Sequence, residues 1–409
     1  MKSVINAACF IIPFPSIRRP LRQKLKKMWH DYKNNLDDFS KNLSGRPIVV
    51  WFDHALGGGT EVYSKKQFKK IDALFDVLRI QYFPATRLYH LTMANNKHKI
   101  YTTSNIDDMY DFLCNANIRE IVVNNLVAYK NTLDVLLFIK QIKDAHKNKP
   151  HVSFRGHDFQ CICPSFNLIN CDGEYCQLKY RHGCEMCWKN KKMAKNQTAN
   201  KVLRSGANDI QDWRNKWGNF LAQTADDIVV FSSVVSEIFT KVYPQIKNKI
   251  KIIPHEVQQY RHVNIKPHKS CNIAVLGAIS QQKGADVIKT MAEKIGQYNN
   301  DVKIIVVGTI VHKLKNISVT GAYKPKYLPK IMEKNNIDIV LIPSIWPETF
   351  SYTTSEAMSM GLAVACFDIG APAERVKNYE YGLVLEKIDP EKNIGQIIEF
   401  VKKVKEMKK

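Results

Sequence analysis

Short apolar runs rich in β-branched residues, each ending in a turn and followed by a helical pattern, recur along this chain and restrict its fold more than any other feature. "RPIVVWFD" (46–53), "REIVVNNLVAY" (119–129), "PHVSFRGHD" (150–158) and "DDIVVFSS" (226–233) read as buried strands. Helical patterns such as "NTLDVLLFIKQIKDAH" (131–146) and "SEIFTKVY" (236–243) separate or follow them. Strand then helix, repeated, implies a parallel sheet, because a parallel neighbour is reached only through a crossover. The rhythm restarts at "CNIAVLGA" (271–278) and runs through "VKIIVVG", "IDIVLIPS" and "LAVACFD". Between the two series, "KIIPHEVQQYRHVNIKPHKS" (251–270) is polar and holds two prolines, as a linker does. The fold class expected is α/β, with two doubly wound Rossmann-like domains whose strand ends would face a central cleft. Residues 46–260 form the first domain, with an insertion at 161–187, and 261–390 the second. A basic segment (1–45) precedes them and a basic helix (391–409) follows.

Composition narrows the function. A chain of 409 residues with 61 Lys and Arg against 38 Asp and Glu carries a net charge of +23, which favours phosphate-bearing partners or is plain solvated surface. No run of apolar residues is long enough for a spanning helix. The opening "MKSVINAACFIIPF" is apolar but lacks a small-residue cleavage site and passes directly into "RRPLRQKLKK". Cys9, Cys114, Cys271 and Cys366 are scattered singly, as core thiols in a reducing compartment are. The expectation is an intracellular, cytoplasmic protein.

Against that basic background, Glu348 and Glu356 stand eight positions apart in "IWPETFSYTTSEAMSMG". "IDIVLIPS" should deliver the chain to a sheet edge with Glu348 at its end. "IWPETF" reads as the loop and "SYTTSEAMSM" as the start of a helix, with Glu356 about two turns beyond Glu348 and able to present to the same side. The N–H groups of that helix start would bind an anion. Taken singly, each glutamate reads as a surface acid or a helix-dipole partner. In the first domain, Gly57, Gly58 and Gly59 follow a strand and permit close backbone approach to a ligand. His157 and Asp158 likewise end a strand.

The stretch "PSIWPETFSYTTSEAMSMGLAVACFDIGAPAERV" resembles the Glu-x7-Glu signature of glycosyltransferase family 4, retaining enzymes of the GT-B fold that include bacterial surface-polysaccharide and O-antigen transferases. "GAISQQKGADVI", "HALGGGTE" and "RGHDF" resemble that family's donor-phosphate lysine segment, N-terminal glycine loop and catalytic-histidine segment. The resemblance implies a nucleotide-sugar donor as substrate, a glycan or lipid-linked acceptor, retention of configuration and no catalytic metal. It places Glu348 on the donor-sugar hydroxyls, Glu356 on the ribose, and Lys283 with the backbone near Thr349 and Phe350 on the diphosphate. It also implies catalytic roles for His157 and Asp158, and donor contacts at Gly277, Gly57, Gly58 and Gly59. Two departures stand out. Ala278 follows Gly277 where the family commonly has arginine, and Glu-Gly-Phe-Gly is here Glu348-Thr349-Phe350-Ser351, where β-branched Thr349 disfavours positive φ. Two alternatives remain: a nucleotide-sugar epimerase of the same fold, and a basic nucleic-acid-binding protein. The second explains the charge but not the two acids, and no recognised nucleic-acid motif is present.

Residues 161–187 hold six of the ten cysteines. Cys184 and Cys187 form a C-x2-C pair which, with Cys163 and Cys176, suits a structural zinc; reduced thiols or disulfides are the other readings. Residues 18–33 carry Arg18, Arg19, Arg22, Lys24, Lys26, Lys27 and Lys33 against one acid, Asp31. Leu21, Leu25, Met28, Trp29, Tyr32 and Leu36 recur at helical spacing beside them. That pattern suits a helix lying on an anionic membrane surface, at the inner face of the cell membrane, or one packed on "IGQIIEFVKKVKEM". Each basic residue near such a surface contributes about 1 kcal/mol. Flotation should therefore recover the full chain with anionic but not neutral liposomes, and deleting residues 1–36 should abolish the difference.

Overall fold

The computed structural model describes residues 35–94, 100–179, 183–189, 206–298 and 301–408; the basic helix expected at 18–33 lies outside them. The chain divides into two compact units. One comprises Met1–Phe166, Trp188–Val229 and Gln245–Lys251, and the other Asn167–Cys187, Val230–Pro244 and Ile252–Lys409.

The first unit is built on an eight-stranded sheet of order β4-β3-β2-β1-β5-β6-β7-β8. Its parallel centre joins β1 (Ile48–His54) to β2 (Asp76–Phe83) on one side. On the other side follow β5 (Ile118–Val123), β6 (His151–Arg155) and β7 (Asp227–Val230), with β8 (Ile250–Ile252) at the edge. All seven residues of β1 are buried, as a strand covered on both faces must be. Helix α1 (Gly59–Ile71) follows β1. Helix α2 (Thr132–Ala145) follows β5 and buries Leu133, Val135, Leu136, Phe138, Ile139 and Ile142. Helix α3 (Ile210–Asn219) buries Trp213 and Trp217, and the Trp213 indole N–H donates to the Gln160 carbonyl at 2.8 Å.

Strands β2, β3 (Leu88–Met93) and β4 (Ile100–Thr103) depart from the apolar-run pattern. β3 runs antiparallel to β2, and β4 antiparallel to β3. "DVLRIQYF" carries Arg79 and Gln81 within it because both reach polar partners: Arg79 the Asp53 carboxylate and Gln81 the His54 carbonyl. The strand therefore reads as alternating, not as an apolar run.

The second unit holds a six-stranded sheet of order β11-β10-β9-β12-β13-β14. Its members are β9 (Cys271–Ile279), β10 (Val302–Ile310), β11 (Ser318–Val319), β12 (Ile339–Ile342), β13 (Ala363–Phe367) and β14 (Gly382–Leu385), all paired in parallel. Ile273 and Val275 enter one core cluster while Ala274 and Leu276 enter another, so the sheet is packed on both faces. Burying each such aliphatic side chain contributes about 1.5–3 kcal/mol. Helices of this unit include α4 (Ser233–Val242), α5 (Ala285–Lys294), α6 (Leu328–Lys334), α7 (Tyr352–Ser359), α8 (Gly370–Val376) and α9 (Pro390–Met407). On α9, Ile394, Ile397, Val401 and Val404 join the cluster that contains Ile288 and Met291 of α5. No helix among the described residues is long and apolar enough to cross a membrane.

One close approach fixes the loop after β9. Gly284 has φ +84°, and a Cβ there would lie 1.9 Å from the Pro343 carbonyl oxygen at the end of β12. Gly284→Ala should therefore destabilise the protein by on the order of 3 kcal/mol or more, through strain and a backbone clash together. Urea unfolding of the variant beside wild type measures this.

Candidate functional site

In the second unit the residues singled out in the sequence converge on the loops beyond β9 and β12. Gly277, in β9, has φ +102°, and a Cβ there would lie 3.7 Å from Thr353 in the first turn of α7. The Lys283 loop packs against the end of β12: the Ile345 N–H donates to the Gln282 carbonyl at 3.1 Å, beside the Gly284 contact. Glu348 is only 6% exposed. The Ser344 hydroxyl donates to its carboxylate, and its carbonyl accepts the Ala371 N–H at 2.9 Å. Thr349, Phe350 and Ser351 are buried beside it.

The link between the glutamates differs from the expected one. α7 begins at Tyr352, one residue later than expected, so Glu348 lies in the loop as expected, but the two acids are joined by residues 349–351 and the first turn of α7, not by two helical turns. The helix-start N–H groups accordingly belong to residues from 352 onward. Thr349 avoids positive φ, and the left-handed position falls instead on Ser351, at φ +84° and ψ +94°. Arg375 of α8 donates to the carbonyls of Phe350 and Ser351 at 2.6 and 3.1 Å and lies 4.4 Å from the Phe350 ring centre. His255 stacks on the same ring at 4.6 Å, and its Nδ1 lies 2.6 Å from the Tyr352 hydroxyl. Glu356 neighbours two tyrosines: burial and then the Glu356 charge push Tyr260 up to about 12 and raise Tyr323 as well. Arg375, His255, Tyr260 and Tyr323 gave no sequence signal, because each reaches the site across the fold.

In the first unit, Gly57 and Gly58 adopt φ of +78° and +79°, and Gly59 opens α1. No protein atom lies within 4 Å of a Cβ at either of the first two positions; what demands glycine there is the left-handed backbone. His157 and Asp158 follow β6, and two residues missed in the sequence, Asn124 and Asn125, follow β5 and hold them. The Asn124 amide nitrogen donates to Asp53 Oδ1 at 3.2 Å and to Ser64 Oγ at 3.1 Å, so its oxygen faces His157 Nε2 at 2.9 Å. That nitrogen of His157 therefore carries the proton. Asp53 is wholly buried and accepts from the His54 N–H at 2.9 Å, and from Ser64 and Arg79 at 2.7 Å each. Arg79 also donates to Glu61. Asp158 accepts from Asn125 Nδ2 at 2.6 Å and from the Gln160 N–H at 2.7 Å, yet burial outweighs both and pushes its carboxyl up to about 6.

The zinc expectation finds no ligand set. Among the described residues no group of three or more His, Cys, Asp or Glu side chains could hold a metal ion. Cys184 and Cys187 lie on one short helix, Gly183–Lys189, and the Cys163 thiol donates to Ser165 Oγ at 3.4 Å.

Residues 256–409 match the sequence model of the family described as Glycosyl transferases group 1. The structure is similar to that of Anabaena Alr3699/HepE in complex with UDP and glucose, with a TM-score of 0.54 at 11% identity over 87% of this chain and 90% of that one. The same Anabaena protein in complex with UDP-glucose gives 0.53 at 12% identity, covering 88% and 90%. The apo lipopolysaccharide outer core galactosyltransferase WaaB gives 0.50 at 11% identity, covering 87% and 88%. The fold is GT-B. No curated protein matches the chain.

The raised Asp158 carboxyl has a pH signature. An acid whose folded pKa lies above its unfolded value of about 3.9 contributes stability below the unfolded value, lost as pH rises through the folded one. Relative to Asp158→Asn, wild type should therefore lose stability between pH 4 and about 6 and change little above 7. Urea midpoints of both proteins across that range measure it.

Proposed function

We propose that the protein is a glycosyltransferase of the family 4 type, moving a sugar from a nucleoside-diphosphate donor to a glycan or lipid-linked acceptor in cell-surface polysaccharide synthesis, with retention. The observation that carries this reading is the placement of Glu348. It is a buried carboxylate six residues beyond the end of β12, next to the Lys283 loop and a few residues before the start of α7. A carboxylate so placed suits sugar hydroxyls. A lysine and helix-start N–H groups nearby suit a diphosphate.

In the reaction, the bond between the anomeric carbon and the phosphate oxygen breaks, the acceptor oxygen bonds to that carbon, and the acceptor hydroxyl's proton passes to the departing phosphate oxygen. The electron pair of the broken bond leaves on the nucleoside diphosphate. Lys283 and the backbone N–H groups near Thr349, Phe350 and Tyr352 stabilise that growing charge. Glu348 holds the donor sugar, and Glu356, beside Tyr260 and Tyr323, holds the ribose. In the first unit, Asn124 sets the tautomer of His157, so its Nε2 proton points to a fixed partner. His157 and Asp158 are taken as catalytic, and the glycines Gly57–Gly59 as contacts to the donor. The basic segment 18–33 holds the enzyme at the membrane that carries the acceptor.

A screen of nucleotide sugars for diphosphate release, with candidate acceptors added, tests the class directly. With the donor so found, Glu348→Gln and Lys283→Ala should each lower turnover about 10²- to 10³-fold, the usual loss for one charge-stabilising contact, while far-ultraviolet dichroism and melting stay as in wild type. Near-normal turnover in both variants would refute the scheme.

A further inference from the structure

We infer that Arg375 is a positioning residue that holds the loop from Glu348 to Tyr352 in a strained shape, acting on the donor through that loop without touching it. The inference rests on the glycosyltransferase reading and deepens it. Ser351 is the starting point. At φ +84° it occupies backbone space that a side chain disfavours, which lowers the population of this loop shape by about tenfold or more unless the surroundings enforce it. Ser351 is also 8% exposed, so its backbone cannot turn to water for relief.

The enforcing contacts come from α8. Arg375 Nη2 donates to the carbonyls that flank Ser351, those of Phe350 and of Ser351 itself, at 2.6 and 3.1 Å. Its Nη1 donates to Ser355 Oγ on α7, and its Nε to the Ala371 carbonyl at 3.4 Å. All three guanidinium nitrogens are thus engaged within the protein. Arg375 is therefore a clamp and does not stand in for the phosphate cation that Ala278 leaves out. The start of the same helix grips the other end of the loop. The Ala371 N–H donates to the Glu348 carbonyl at 2.9 Å, and Gly370, at φ +67°, lies so close that a Cβ would come within 2.6 Å of Pro347 Cα. Seven residues of α8 thus fix both ends of the segment that carries Glu348. Within the loop, Thr354 Oγ1 donates to Ser351 Oγ at 2.9 Å, and Phe350 lies against both Arg375 and His255. A lysine at 375 supplies one ammonium and no fork, so it cannot serve two carbonyls and a hydroxyl in this geometry.

The test uses the full chain with Arg375→Ala, Arg375→Lys, Ser351→Gly and the double variant Arg375→Ala/Ser351→Gly. Amide hydrogen exchange of the 348–355 region needs no substrate. Arg375→Ala should speed it by about tenfold, the population that the strain would otherwise claim. Turnover with the donor found in the screen should fall by about as much at little change in donor KM, and Arg375→Lys should lie between the two. Ser351→Gly alone relieves the positive-φ strain but removes the oxygen that accepts from the buried Thr354 hydroxyl, so it should lower turnover no more than a few-fold, and in the Arg375→Ala background it should recover most of the lost protection and turnover. Unchanged exchange and turnover in a folded Arg375→Ala protein would overturn the inference. So would a loss that neither Arg375→Lys nor the added Ser351→Gly relieves and that tracks a lower melting temperature, since Arg375 would then be a general core contact. If wild type turns over no nucleotide sugar, the glycosyltransferase reading fails, while the exchange result still decides the clamp.

Discussion

A parallel strand is covered by helices on both faces, so its side chains are consumed by the core and chemistry is left to the loops where strands end. The residues singled out for a role in this chain follow that constraint. In β9, Ile273, Ala274, Val275 and Leu276 are all buried, facing the two sides in turn, and the first residues free to do anything else are those around Gly277 and Lys283. β12 is buried throughout, and Glu348 follows six residues after it ends. In the first unit β1 spends all seven residues on the interior and releases the chain at the glycine loop, while β5 and β6 release Asn124 and His157.

The same constraint explains what could be read in the sequence. A strand buried on both faces must be an unbroken apolar run, and β1, β5, β6, β7, β9, β10, β12 and β13 were all legible for that reason. β2 was not, because Arg79 and Gln81 inside it serve a polar network that no local pattern announces. Among the site residues, Glu348 could be found because a lone acid after an apolar strand is conspicuous. Its spatial relation to Glu356 could not, since a two-turn spacing applies helix geometry to residues 349–351, which lie before α7. Asn124 and Asp53 are 71 positions apart, and Arg375 lies 25 beyond Phe350. Interactions over such separations belong to topology. The C-x2-C pair is a different case: it lies on one turn of the helix Gly183–Lys189, and no three-ligand group forms around it among the described residues.

The two units hold their polar residues in different ways. Around Glu348 the control is exercised through main-chain carbonyls, by Arg375, and by close backbone approach at Gly370 and Gly284. Around His157 it runs through side chains, from Arg79 and Ser64 to Asp53, then Asn124, then the imidazole. Main-chain control fixes the path of a loop. Side-chain control fixes a tautomer.

Asp53 also bears on how the first unit assembles. Its carboxylate has no contact with water, and its donors come from separate parts of the chain: His54 beside it, Ser64 on α1, Arg79 on β2 and Asn124 after β5. A half-built intermediate that closed over this charge before Arg79 arrived would strand an unpaired ion in the interior, at a cost of several kcal/mol. The docking of α1, β2 and β5 is thereby coupled: each raises the value of the others, and subsets of them are penalised. A single buried acid makes the ordering of this sheet a concerted event.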